Sequence, residues 1–210
     1  MGIQERRQRE KEELREQILD AAREMFVEHG YDAVTMRGIA ERIEYSPTAI
    51  YLYFEDKESL IRAICDADFG ALAGRFQTIA GIKNPVERIR AIGRGYADFA
   101  REHPNQYRLM FMTPLPGEPA DRSSLERGNP EQDAYAFLRL AVSEAIQQQR
   151  LLPQHTDADL VSQILWSGIH GVVSLRIAKC SDEWVPWRDE DATIDTMIDT
   201  LIRGLVRAEN

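Results

Sequence analysis

Most marks of a catalytic, metal-binding or secreted chain are missing from these 210 residues. Cysteine occurs only at Cys65 and Cys180, far apart, and neither has a second cysteine or histidine at ligand spacing. That speaks against zinc, and two buried free thiols are expected rather than a disulfide. There is no Gly-rich phosphate loop, no HExxH pair and no ordered Ser-His-Asp set, so nothing points to an enzyme, a metal or a cofactor. No run approaches the length of a membrane span, and the acidic, Arg-rich start lacks the apolar segment of a signal peptide. A cytoplasmic protein with no membrane partner is the simplest expectation. The alternation of β-strands is absent as well. Positive charge is in deficit, 26 Lys and Arg against 35 Asp and Glu, for a net charge of −9. This excludes a general nucleic-acid binder but not a local basic face, because phosphate contact needs only cations within a Debye length.

What remains is ordinary globular material, 43% hydrophobic and 29% charged, patterned as helix nearly throughout. The expected fold is all-α with about nine helices. From Glu12 to Glu28 the residues Leu14, Ile18, Leu19, Ala22, Met25 and Phe26 recur at threes and fours, and Gly30 stops the helix. Thr35 is an N-cap for a short helix, Met36 to Ile43. After the turn Glu44-Tyr45, Ser46 caps a second short helix with Pro47 at its first position, ending near Phe54. A longer helix begins at Asp56. Further helices are expected from Asn84-Pro85, around Tyr107 to Met112, and over Glu131–Arg150, Asp157–Lys179 and Asp191–Arg207. Thr113 to Pro130 reads as a loop.

Two short helices joined by a tight turn form a helix-turn-helix pattern. In SPTAIYLYF, Ile50 and Phe54 are placed to face inward, which leaves Thr48, Ala49, Tyr51, Leu52 and Tyr53 for the outer faces. Gly38, inside a helix, reads as a close packing point, and Tyr45 as packed against the first helix. The run FVEHGYDAVTMRGIAERIEYSPTAIYLYFEDKESLI, Phe26 to Ile61, resembles the TetR family of bacterial transcriptional regulators in order and spacing. The resemblance implies roles. Thr35 and Arg37 stand where members contact phosphate; Ser46, Pro47, Thr48, Tyr51 and Leu52 face the groove; Tyr53 and Lys57 match backbone-contact positions. Members often carry Gly at the turn, and this chain has Glu44. The tail with Arg6, Arg7, Arg9 and Lys11 among Glu5, Glu10, Glu12 and Glu13 is either a solvated helical extension or an arm that reaches phosphates or the minor groove.

The same resemblance divides the chain into a DNA-binding domain, residues 1–58, and a ligand-binding and dimerisation domain, residues 59–210. LWSGIHGVV, Leu165 to Val173, and NQYRLMF, Asn105 to Phe111, resemble a subgroup marked by Trp followed by His-Gly. Tyr96, Phe99, Tyr107, Phe111 and Trp166 are candidates to line an apolar effector site. His170 has no ligand partner four residues away and reads as a packed histidine with one hydrogen bond. Gly168 and Gly171 allow close helix approach. Val161, Leu165, Gly168, Val172, Ile194, Met197, Ile198 and Leu201 are candidates for a homodimer interface formed as a four-helix bundle. The implied function is a repressor released from a double-stranded, near-palindromic operator by a small apolar molecule. An activator is the alternative, or an apolar-ligand carrier or enzyme that kept the helix-turn-helix as a structural element.

Overall fold

A computed structural model of the protein describes residues 2–115 and 123–207. Among these residues there are nine α-helices and no strand: α1 (Ile3–His29), α2 (Met36–Arg42), α3 (Pro47–Tyr51), α4 (Lys57–Gln77), α5 (Pro85–Glu102), α6 (Pro104–Phe111), α7 (Ala134–Gln147), α8 (Ala158–Lys179) and α9 (Glu190–Leu205). The loop expected over Thr113–Pro130 falls partly outside the described residues. The chain forms two compact units. One comprises Met1–Asp68 with Asn105–Ser124, the other Phe69–Pro104 with Leu125–Asn210.

In the first unit, the apolar stripe of α1 buries Ile18, Leu19, Ala22 and Phe26 against Ile39 and Ala40 of α2 and Ile50 of α3. Phe54, Leu60, Ile61 and Ile64 complete that core, and Leu109 of α6 joins it. The expected boundary after residue 58 therefore falls inside this unit, because α4 must bury its first apolar turns there. A buried ion pair adds a further tie. Arg23 Nε and Nη2 donate to both Asp68 carboxylate oxygens at 2.9 and 2.7 Å, and Gln106 Nε2 donates to the same carboxylate at 3.0 Å. Burial opposes the Arg23 charge, yet the hydrogen bonds and charges of Asp68 and Asp20 outweigh it and hold the guanidinium above its ordinary range.

In the second unit, α5 packs against α7, α8 and α9. It buries Ile89, Ile92, Tyr96 and Phe99 and carries Arg94 and Arg101 on its outer side. Arg94 reaches Asp191 and Asp195, and Arg101 reaches Asp191, which draws the start of α9 onto α5. The Arg94 hydrogen bond holds the Asp191 carboxyl below its usual range. A Cβ at Gly168 would lie 2.6 Å from Leu201 Cδ1, so α8 and α9 of one subunit touch at that point.

Several expectations change here. Val161, Leu165, Ile194 and Ile198, expected at a dimer interface, are buried inside the subunit, Val161 to 1% exposure. Gly168 and Leu201 meet each other, and Met197 and Val172 are half-buried. α8 carries two apolar faces, and periodicity alone does not say which one the subunit keeps. The outward face is Leu160, Ile164 and Leu175, at 55%, 41% and 57% exposure, with exposed Ser167 and half-buried Gly171 between them. Two apolar faces also make α8 long and apolar enough to cross a membrane by length and composition, contrary to expectation. Its inward face is nevertheless packed in the unit. Cys65 is half-buried and Cys180 exposed, so the thiols are not both buried.

Candidate nucleic-acid interface

Capping chemistry builds the reading head. The Thr35 hydroxyl accepts from the Gly38 amide at 3.0 Å and starts α2. At Gly38 a Cβ would sit 3.3 Å from Thr35 Oγ1 and 3.4 Å from Met25 of α1, so the glycine serves close packing against α1. α2 ends with the Tyr45 amide bonded to the Ala40 carbonyl at 2.9 Å and the Glu44 amide to the Glu41 carbonyl at 3.3 Å. That pair is a Schellman closure, and it places Glu44 at φ 60°. A left-handed non-glycine residue costs about 1–2 kcal/mol, which the two recovered hydrogen bonds offset. The Ser46 hydroxyl then accepts from the Ala49 amide at 3.3 Å, with Pro47 at the first helical position.

α3 stops at Tyr51 rather than Phe54, since the Tyr53 and Phe54 amides both turn back to the Ile50 carbonyl at 2.9 and 3.0 Å. Ile50 and Phe54 are buried and fix the helix to α1 and α4. Ser46, Pro47, Thr48, Tyr51 and Leu52 are exposed together, Tyr51 to 53% and Leu52 to 78%. Tyr53 is half-buried against the core. Tyr45 is 45% exposed, so it is not packed away against α1 as expected.

The cations flanking α3 are occupied. Arg37 is exposed and pairs with Glu41, one turn on, at 3.0 Å. Arg42 reaches Glu24 at 3.4 Å. Lys57 donates to the carbonyls of Tyr31 and Val34 at 2.8 and 3.0 Å, with Nζ 4.1 Å from the Tyr31 ring centroid. Its ammonium ties down the connection between α1 and α2, an internal role that sequence spacing does not display. Binding a phosphate would have to share or replace those bonds.

The effector candidates fall into both units. In the second unit, Trp166 Nε1 donates to the Tyr96 hydroxyl at 3.0 Å, and that hydroxyl lies 3.2 Å from His170 Nδ1. A neutral imidazole with Nδ1 as acceptor satisfies both contacts, and burial holds the His170 pKa below its usual value. Tyr135 stands 6.2 Å from Trp166, ring to ring, and its hydroxyl bonds Asp159 at 3.2 Å. Phe99 is buried with its ring 5.1 Å from that of His103. In the first unit, Tyr107 and Phe111 pack ring to ring at 5.0 Å. A separate cavity between α5, α8 and α9 is lined by Ile89, Val161, Leu165 and Ile202. Its volume of about 10 Å³ is on the scale of one water, too small for an effector.

Residues 18–64 match the family described as bacterial regulatory proteins, tetR family, and residues 89–201 match the tetracyclin repressor-like C-terminal domain. The HTH-type transcriptional activator FasR of Mycolicibacterium smegmatis is 33% identical over 110 residues, which cover 52% of this chain and 50% of that one. The HTH-type transcriptional repressor AcnR of Corynebacterium diphtheriae is 41% identical over 59 residues, covering 28% of this chain and 31% of that one. The matched stretches thus span half or less of those curated relatives. Among solved structures, a TetR family transcription regulator from Marinobacter aquaeolei VT8 aligns with a TM-score of 0.74 at 22% identity. That alignment covers 96% of this chain and 100% of the other, and at this identity it speaks to the fold.

Proposed function

The chain belongs to the TetR family of bacterial regulatory proteins, and from that premise we propose that it is a ligand-responsive transcriptional regulator acting in the cytoplasm. It binds a near-palindromic DNA operator as a homodimer and is released by a small apolar molecule. The observation that carries this is the exposed set Ser46, Pro47, Thr48, Tyr51 and Leu52 on and around a helix anchored by buried Ile50 and, just past its end, buried Phe54. A packing helix would have no reason to leave Tyr51 and Leu52 in water. Hydroxyls there suit base edges and phosphates, and Leu52 suits thymine methyls. Thr35 and Arg37 at the start of α2, with Tyr53 and Lys57 after α3, are the proposed backbone contacts.

For the dimer, the supporting features are the outward apolar face of α8 at Leu160, Ile164 and Leu175 and the exposed threonines of α9. On α9 the Thr193, Thr196 and Thr200 hydroxyls donate to carbonyls four residues back at 2.6, 2.7 and 2.7 Å. Their polar groups are satisfied within the helix, so a twofold copy could cover their methyls with little desolvation cost. Two such heads would address successive major grooves about 34–36 Å apart. For the effector, the supporting feature is the linked Tyr96, Trp166 and His170, which also underlies our assignment of the subgroup marked by Trp and His-Gly.

Selection of duplexes from a random pool with the full chain tests the reading. An enriched palindrome is expected. Arg37→Ala with Tyr51→Ala should abolish its binding while leaving the dimer and the thermal midpoint nearly unchanged. A collapse of folding in that variant would instead support a structural helix-turn-helix. An activator is the second reading, favoured by the resemblance to FasR. Transcription from a promoter bearing the selected site, with and without the protein, separates it from a repressor.

A further inference from the structure

α1 starts at Ile3, well before its first fully buried residue, Ile18. The described residues from 4 to 13 are all exposed, so nothing in the subunit packs on this part of the helix. It is held by pairs one turn apart, Arg6 to Glu10 and Gln8 to Glu12, each at 2.8 Å.

Three of its cations share one face. Arg7, Lys11 and Arg15 recur at four-residue spacing and form one line. Leu14 and Ile18 continue the same face into the core, so the buried stripe of α1 runs outward as cations. Arg9 lies on the opposite face, while Glu10 and Glu12, three residues from Arg7 and Arg15, flank the line, and Arg15 meets Glu16 at 3.3 Å. Among the described residues, neither Arg7 nor Lys11 is ion-paired. At the inner end of the line the Arg15 guanidinium lies 5.7 Å from the ring centroid of Phe54, three residues past the end of α3. From Ile18 to Arg7 the helix extends about 16 Å at 1.5 Å per residue. The cationic line itself, Arg7 to Arg15, is about 12 Å long; next to an uncharged reading helix whose nearby cations are already engaged, it matches a row of phosphates.

We propose that the Arg7–Lys11–Arg15 face of α1 is a second nucleic-acid contact, which binds the sugar–phosphate backbone flanking the base pairs read by α3. It supplies affinity without base preference. The proposal rests on the DNA-binding reading above. Arg7 and Lys11 each neutralise about one phosphate per head, so each contributes about 0.9 to the salt slope of binding.

The experiment compares the wild type, Arg7→Gln with Lys11→Gln, and Arg9→Gln, all as full chains, on the duplex selected from the random pool. The log of the binding constant is followed against the log of salt concentration. For the double variant the slope should become shallower by about 1.8 per head, with the order of preference among selected sequences unchanged. Arg9→Gln removes a positive charge from the opposite face and should leave the slope within error of the wild type. Equal loss of slope per charge removed on both faces would reduce the effect to net charge and overturn the proposal. An unchanged slope in the double variant, with helicity intact by circular dichroism, would also overturn it. Failure of the wild type to enrich or bind any duplex would instead sink the DNA-binding reading, and this contact with it.

Discussion

α3 and α8 both leave large apolar side chains in water, under different constraints. α3 is a five-residue helix with a cap, a proline at its first position and buried Ile50. Once Ile50 and Phe54 are anchored, Tyr51 and Leu52 have nowhere to go but outward. α8 has 22 residues and apolar side chains around most of its circumference, so two different registers could serve as its core face. The subunit keeps Val161, Leu165, Ile169 and Val173 and leaves Leu160, Ile164 and Leu175 outside. A short capped helix declares its free face; a long apolar one does not.

The sharpest way to break this comparison lies within α8 itself. Val161→Asp places an unpaired charge among buried residues, a penalty of several kcal/mol or more against a total stability of about 5–15 kcal/mol. It should leave no cooperative unfolding transition by circular dichroism. Ile164→Asp, three residues on, should keep the helical spectrum and the transition while shifting the sedimenting species to a monomer. If Ile164→Asp unfolds the chain as Val161→Asp does, the outward face is misassigned.

Next in size is the buried pair of the first unit. Asp68→Ala removes the bidentate partner of Arg23, whose side chain is only 8% exposed and keeps only the exposed Asp20 carboxylate, and should cost about 3 kcal/mol by urea denaturation. Adding Arg23→Met should recover much of the loss, because it removes a buried charge that Asp20 alone compensates poorly. A cost under about 1 kcal/mol for Asp68→Ala would mean that water reaches Arg23 readily and that the pair does not hold α4 to α1.

The same contrast explains what could be read before the structure. Caps and turn residues carry local, directional chemistry. Thr35, Ser46 and Pro47 therefore marked the starts of α2 and α3, and the turn at Glu44 was foreseeable. Exposure of Tyr51 and Leu52 followed from two inward residues four apart. Long-range pairings carry no such local sign. Nothing near Lys57 in sequence announces that its ammonium caps the carbonyls of Tyr31 and Val34. Asp68 gives no hint that it meets Arg23, 45 residues earlier. For α8, the apolar residues were visible but their assignment to core or surface depended on α5 and α9: Gly93 of α5 meets Ile169 and Ile198, and Gly168 meets Leu201. The candidate effector residues were likewise chosen as aromatics, and only three-dimensional placement brings Trp166 and His170 to the Tyr96 hydroxyl.

A smaller effect tests whether turn chemistry acts alike in both units. Gln149 closes α7 as Glu44 closes α2, at φ 54° against 60°, with the Arg150 amide bonded to the Ala145 carbonyl at 2.9 Å. Glycine at either position relieves the left-handed strain of about 1–2 kcal/mol but gains entropy in the unfolded chain. A net stabilisation of about 0.5–1 kcal/mol is expected for Glu44→Gly and for Gln149→Gly, read from unfolding midpoints. A gain at one site and a loss at the other would show that Glu44 or Gln149 has a side-chain role beyond the turn.

The smallest effect belongs to His170, and its sign is fixed by the cluster around it. Burial holds its pKa in the folded chain below the unfolded value of about 6.5. The unfolded chain therefore binds a proton first as pH falls, so stability from this group is full above about pH 6.5 and declines below it, levelling off beneath the folded pKa. Other groups titrate over the same window, which makes the comparison with His170→Gln the informative one. Between pH 7.5 and 5.5 the urea midpoint of the wild type should fall further than that of His170→Gln. The tryptophan emission should change with it, because Trp166 shares the Tyr96 hydroxyl with the imidazole. Equal slopes in the two proteins would mean that His170 is protonated as readily in the folded chain as in the unfolded one. The neutral arrangement of Trp166, Tyr96 and His170 would then be wrong.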